Sequence, residues 1–258
     1  NSQPSGDVSA SLRGADIVIL GEVHDNPTHH RNQAGLITAL APSAVAFEML
    51  NPAQAEIVNR TDDRGDDLRQ ALGWDDSGWP DWSLYQPLFA ALADTPVYGM
   101  ALPGREVNRA VSEGAAAVFG EGADRFGLTT PLPEAQQAER EAHQLAAHCD
   151  MLPAQLLPGM VQAQRLRDAA FSRTSLQALE DTGGPVVVIT GSGHARRDWG
   201  MPAALAVAAP AVTVASLGQL EAQPEDGAPF DTWLVAEPAP REDPCAAFAA
   251  QRGAETPE

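Results

Sequence analysis

The chain has 258 residues, of which 44% are apolar, enough to bury a sizeable core as one large α/β domain. Sixteen basic residues, all arginine, stand against 35 acidic ones for a net charge of −19, which argues against nucleic acid and anionic membrane surfaces as main partners. The absence of lysine removes Schiff-base and ammonium chemistry, and no apolar run reaches the ~18 residues of a transmembrane segment.

Residues 1–14 open on Asn1-Ser2-Gln3-Pro4-Ser5-Gly6-Asp7 and are expected to form a flexible polar tether, with a signal peptide absent or already removed. A single α/β domain is expected over 15–237. Its first strand is the β-branched run Ile17-Val18-Ile19-Leu20, which stops at Gly21. Asp25-Asn26-Pro27 then supplies an N-cap and an early proline for a helix over Thr28–Leu40. A second strand, Ala44-Val45-Ala46-Phe47, leads through Met49-Leu50 to a helix from Asn51-Pro52 to about Arg60. Thr61–Asp67 reads as a solvated turn, Trp74–Trp82 as an aromatic-rich loop and Ser83–Ala93 as a helix. The third strand spans Pro96–Leu102. Helix formers dominate Arg105–Phe119, Glu134–Cys149 and Pro153–Leu179, an added helical lobe over about 105–180. Pro185–Thr190 is the next strand, followed by a short helix at Met201–Ala209 and last strands at Val212–Leu217 and Thr232–Ala236. Residues 238–258, rich in Pro and Glu, are expected to be a mobile tail. The strand-then-helix alternation implies a mostly parallel central sheet flanked by helices. Cys149 and Cys245 are either one disulfide in an oxidising compartment or two unrelated thiols.

Chemistry gathers where the strands end. The first strand runs into Glu22 and His24, the second into Glu48, and the fourth, through Gly191-Ser192-Gly193, into His194. Ligands of an open parallel sheet bind outside the carboxyl ends of its strands, so these four side chains are expected on one rim. His29 and His30 fall in the first turn of a helix, whose dipole favours neutral rings. Carboxylates with imidazoles suit a divalent metal held by Glu22, His24, Glu48 and His194, an acid/base pair, or a polar wall around a larger cofactor. No two histidines are spaced three or four apart on one helix, and Gly-Ser-Gly-His is neither a nucleophile elbow nor a dinucleotide fingerprint. Arg196 and Arg197 are placed to hold an anionic group or to pair with surface acids.

Several motifs resemble one family in consistent order from about Asp16 to Leu220. They are Gly21-Glu22-Val23-His24-Asp25-Asn26 with His29-His30, Phe47-Glu48-Met49, Trp79-Pro80-Asp81-Trp82 before Tyr85-Gln86-Pro87-Leu88-Phe89, Ala147-His148-Cys149, Ala163-Gln164-Arg165-Leu166-Arg167-Asp168-Ala169, and Gly191-Ser192-Gly193-His194-Ala195-Arg196. The order is similar to that of the ChaN-like haem-binding uptake lipoproteins, within the Tiki, TraB and erythromycin-esterase superfamily. The resemblance implies a parallel α/β fold with a helical lobe, haem bound at a homodimer interface, a role in iron uptake, and a bacterial cell-envelope location with a possible lipid anchor. It implies a tyrosine axial ligand, for which Tyr85 is the choice, Tyr98 being assigned to the core. His24, His29, His30, His194, Arg197 and Trp82 are the further haem contacts. The alternative it carries is a metal-dependent hydrolase using the Glu22, His24, Glu48 and His194 rim.

Overall fold

A computed structural model describes residues 5–224, 227–243 and 245–246. Its centre is a six-stranded, wholly parallel sheet in the order β3-β2-β4-β1-β5-β6. The strands are β1 (Ile17–Glu22), β2 (Ala44–Phe47), β3 (Val97–Gly99), β4 (Val186–Gly191), β5 (Val214–Leu220) and β6 (Thr232–Val235). Every residue of β1, β2 and β4 is buried, as near-continuous apolar runs require when helices cover both faces.

Alternation along these strands divides the core in two. Val18, Leu20, Val45, Phe47, Val187 and Ile189 face one layer, built from α1 (Ser5–Leu12), α2 (Pro27–Leu40), α3 (Pro52–Arg60), α4 (Asp66–Leu72) and α5 (Trp82–Ala91). Ile17, Ile19, Ala44, Ala46, Val186 and Val188 face the other, built from α6 (Gly104–Glu113), α7 (Ala115–Phe119), α9 (Leu157–Thr182) and α11 (Met201–Ala208), with α8 (Glu134–Ala147) packed on α9. Much of the expected lobe is therefore the sheet's second covering layer. The four-residue α10 (Ser192–Ala195) follows β4 directly.

Local chemistry sets the boundaries. Asn26 caps α2 by accepting from the Thr28 N–H, with Pro27 at its first turn, and Asn51 and Gln54 form a reciprocal capping box on α3. The helix expected over Arg105–Phe119 breaks into α6 and α7 at Gly114, whose φ of +89° is a conformation only glycine adopts cheaply.

Both expected termini make contacts with the domain where they are described. Within the supposed tether, α1 buries Val8 and Leu12, each 1% exposed, a pair four residues apart on one helical face. The tail is held as far as it is described. Arg241 pairs with Asp25 at 2.7 Å and Glu221 at 2.6 Å, and Cys245 forms a disulfide with Cys149. Residues 247–258 lie outside the described residues.

Candidate functional site

β4 lies between β1 and β2, so their carboxyl ends bring Glu22, His24, Glu48 and His194 to one edge of the sheet. Strand alternation then sends the two glutamates to opposite layers. Glu22 points towards α2 and α5. Its Oε1 accepts from the Tyr85 hydroxyl at 2.8 Å and from Nδ1 of His24 at 2.8 Å, while Oε2 lies 3.5 Å from the His30 ring. Glu48 points towards α9. Its Oε2 accepts from Thr190 Oγ1 at 2.6 Å and the Gly191 N–H at 2.8 Å, and Oε1 is 3.6 Å from Nε2 of His194. The other nitrogen of His194 donates to Asp168 on α9 at 2.6 Å.

Between these clusters, against the helical wall, is a cavity of about 220 Å³. His24, Glu48 and His194 line it from the sheet edge; Arg140 and His143 of α8 and Gln164 and Arg167 of α9 line it from the wall. Gly191 leaves room for His24. A Cβ there would stand 3.0 Å from His24 Nε2 and 3.2 Å from Cε1, so any larger residue would press the ring away from the strand end by a few tenths of an ångström. Nδ1 is committed to Glu22, the ring meets Trp79 at a centroid distance of 5.0 Å, Nε2 lies beside Gly191, and His24 is among the residues lining the cavity.

Burial disfavours a charge on His24, but the hydrogen bond to Glu22 and the field of Glu48 outweigh it and hold the imidazole above its ordinary pKa. His194 behaves alike: burial lowers its pKa, the carboxylates of Glu48 and Asp168 raise it further, and the net shift is upward. Burial also presses Glu48 towards its neutral form, yet His194, His24 and the Thr190 and Gly191 donors keep it below the usual carboxylate range. Asp168 is pushed up, chiefly by burial against the opposing pull of His194. Imidazoles and carboxylates thus alternate along the rim, each imidazole favoured towards its charged form by the carboxylate beside it.

Several expected contacts stand elsewhere. Tyr85 is 0% exposed, bonded to Glu22, and holds its proton tightly because burial first and the Glu22 charge second oppose a phenolate. As placed, it offers no oxygen to a bound iron. Trp82 is buried and stacked on Phe89 at 4.9 Å, and Trp74 meets Trp82, Tyr85 and Phe89 in the same cluster. The aromatic segment pins α5 to the sheet. Tyr98, expected in the core, is half-buried with its hydroxyl on Asp181 at 3.0 Å. His29 and His30 are fully buried and serve the loop after β1. Nδ1 of His29 accepts the Val23 N–H at 2.9 Å, and Nε2 of His30 donates to the His24 carbonyl at 2.9 Å. Burial lowers the His29 pKa, keeping that ring neutral. Arg197 is paired with Asp231 at 3.1 Å and takes no part in the cavity lining. Among the described residues, no group of three or more His, Cys, Asp or Glu side chains is arranged to hold a metal ion.

Sequence reasoning missed Arg140, His143 and Asp168 as site residues. The available signal was helical spacing: 140 and 143 share one face of α8, as 161, 164 and 168 share one face of α9.

A family model described as haem-binding uptake, Tiki superfamily, ChaN matches residues 8–205. Among solved structures, the chain is similar to ChaN of Campylobacter jejuni, a structure described as cofacial haem binding, with a TM-score of 0.66 at 18% identity over 89% of this chain and 91% of that one. At that identity the likeness is one of fold. The type III effector HopBA1 aligns with a TM-score of 0.40 at 14% identity, over 75% of this chain and 76% of that one. A succinoglycan biosynthesis protein reaches 0.41 at 12% identity, over 85% and 70%. No curated protein matches the chain.

Proposed function

The chain belongs to the haem-binding uptake family of the Tiki superfamily that includes ChaN, and from that premise we propose that it binds haem at the sheet-edge cavity with His24, not Tyr85, as the protein ligand to iron. The supporting observation is the geometry of His24. A ligating histidine usually gives its second ring nitrogen to a carboxylate, which fixes the ring and raises its basicity. His24 gives Nδ1 to Glu22 at 2.8 Å and lines the cavity, its Nε2 beside Gly191 and without a hydrogen bond among the described residues.

The donor set fits the group. Bound haem supplies an iron centre that accepts an imidazole nitrogen. Glu22 holds the Nδ1 proton, Tyr85 and His30 hold Glu22, and Trp79 limits rotation of the ring. At about 220 Å³ the cavity is smaller than the ~300–1,000 Å³ of pockets that enclose a ligand of this size. A bound macrocycle would extend past the mouth, and its exposed face is the surface we assign to a homodimer partner.

The family supports a role in haem or iron uptake in the bacterial cell envelope. The Cys149–Cys245 disulfide supports it, since such bonds persist in oxidising compartments. No helix among the described residues is long and apolar enough to cross a membrane; a lipid anchor stays part of the proposal.

Titration with ferric haem tests the reading. Wild type should give a saturable Soret shift and His24→Ala should lose it, with added imidazole restoring the band. Tyr85→Phe should keep the spectrum while losing about 2 kcal/mol of stability from its hydrogen bond to a charged acceptor. A His24→Ala spectrum identical to wild type would overturn the ligand assignment, and no saturable shift in wild type would overturn haem binding.

A further inference from the structure

We infer that the Cys149–Cys245 disulfide is a redox modification site, a latch whose reduction by a dithiol loosens α8 and opens the cavity. That the latched cavity retains haem rests on the reading above; the latch itself does not.

α8 forms a wall without sharing in the core. It lines the cavity through Arg140, His143 and Gln144, yet no residue of 134–147 belongs to either half of the hydrophobic core, and its one buried residue is Arg140. It packs mainly on α9. Beyond that, Gln136 donates to the Asp198 carbonyl at 3.4 Å, and the His143 ring and the Arg140 guanidinium stand 6.0 and 5.5 Å from the Trp199 ring centroid. Helices in proteins draw most of their stability from a buried apolar face, and elements with few buried apolar contacts open locally at a small fraction of the global cost. The turn that follows puts Cys149 and Asp150 at left-handed φ values of +60° and +57°, a backbone that side-chain-bearing residues adopt at a cost. The disulfide holds that turn in place.

The other end of the bond is fastened to the opposite wall. The chain from 236 to 241 is stitched to the sheet edge and to the loop that carries His24. The Ala236 N–H donates to the Leu220 carbonyl at 2.9 Å, Asn26 Nδ2 to the Glu237 carbonyl at 3.0 Å, and the Ala239 N–H to Glu221 at 3.0 Å. Arg241 then pairs with Asp25, the residue after His24, and with Glu221. This strap leads to Cys245, and the disulfide joins it to the chain just beyond α8. One bond thus fastens the helical wall of the cavity to its sheet-edge wall.

Both cysteines are half-buried, so a thiolate can approach them. It attacks one sulfur, forming a mixed disulfide and releasing the other cysteine as a thiolate; the second thiolate of the reductant then displaces the first cysteine. The reductant leaves as its own disulfide, and Cys149 and Cys245 each gain one electron and one proton. The sheet keeps its packing, because neither cysteine belongs to its core. α8 keeps only its contacts with α9 and Trp199.

Hydrogen exchange read by mass spectrometry tests the latch without a ligand. Oxidised wild type, wild type reduced with dithiothreitol, and the Cys149→Ser/Cys245→Ser double variant are compared. Because closing a long loop also stabilises the whole fold, labelling is kept short enough that β1, β2 and β4 stay protected in every sample. Amides of 134–147 should then exchange about tenfold faster in the reduced and doubly substituted chains, and reoxidation should restore the slow rate. Arg241→Ala, which weakens the strap and leaves the disulfide whole, should give part of that acceleration, and reduction should add less to it than to wild type. Release of ferric haem to an excess of apo-globin reads the consequence for the cavity. It should be about tenfold faster from the double variant than from oxidised wild type, a comparison that keeps added thiol away from the iron.

Equal α8 exchange in the oxidised and reduced folded chains would overturn the latch. So would a loss of protection shared equally by α8 and the sheet at every labelling time, which would make the bond a stabiliser of the whole fold alone. If α8 loosens on reduction while no form of the chain binds haem, the latch stands and the haem reading falls. If haem binds while α8 exchange and haem release are the same with and without the bond, the latch falls alone.

Discussion

At the residue scale the site turns on which groups keep a proton. Tyr85 holds its own so firmly, for want of solvent and under the charge of Glu22, that ligation through it would require rebuilding the core. In the proposed haem complex a proton competes with iron for Nε2 of His24. Its pKa is raised above the ordinary histidine value, so at low pH haem must displace a proton from Nε2, and affinity rises as pH rises through the shifted pKa. That rise should approach about one decade of affinity per pH unit below the shifted pKa and flatten only above roughly pH 6.5, once His24 is neutral. A haem titration series across pH checks it; affinity falling with pH over the same range would contradict the sign. The strand-end residues were legible from sequence because Glu22, His24 and Glu48 directly follow apolar runs that parallel sheets bury. Arg140, His143 and Asp168 were not, because a helix face acquires its direction only from tertiary packing.

At the element scale, β4 carries the most demanding position. Gly191 ends the strand between β1 and β2, its N–H binds Glu48, and its missing side chain admits the His24 ring. Gly191→Ala leaves the strand's hydrogen bonds intact but forces the ring to shift. We expect the variant to fold, losing ~1–3 kcal/mol as overpacked sites do, and to bind haem at least tenfold more weakly, measured by Soret titration beside chemical unfolding. Unchanged affinity would mean that the ring's place does not matter. The aromatic segment before and within α5 shows where sequence reading stops: Trp74, Trp82, Tyr85 and Phe89 look the same in sequence whether they face a porphyrin or a sheet. Here they meet one another, and the ligand surface expected of them is core. α1 reversed the other way, since Val8 and Leu12 lie in an otherwise polar stretch too short to show periodicity.

At the scale of the whole molecule, the sheet, its two covering layers and the strand-end rim were readable from the alternation of short apolar runs with helix formers. The anchoring of Arg241 and Cys245 was not, because it depends on Arg241 meeting Asp25 and Glu221 and on Cys245 meeting Cys149 across a separation of 96 residues. Through that disulfide the end of α8, which carries Arg140 and His143, is tied to the segment held at the rim. Because the cavity takes in only part of a macrocycle, we expect haem to draw two chains together. Light scattering should show a mass near twice that of the 27.1 kDa chain on haem addition, and a haem-loaded species of unchanged mass would contradict the dimer.

The central claim is that an imidazole of this chain, that of His24, binds the iron. Electron–nuclear double resonance on the ferric haem complex, with the histidines labelled by heavy nitrogen, tests it most directly. The account predicts a histidine-nitrogen coupling to the iron that is present in wild type and in Tyr85→Phe and absent in His24→Ala. A wild-type complex with no histidine coupling, or a coupling that survives in His24→Ala, would contradict it.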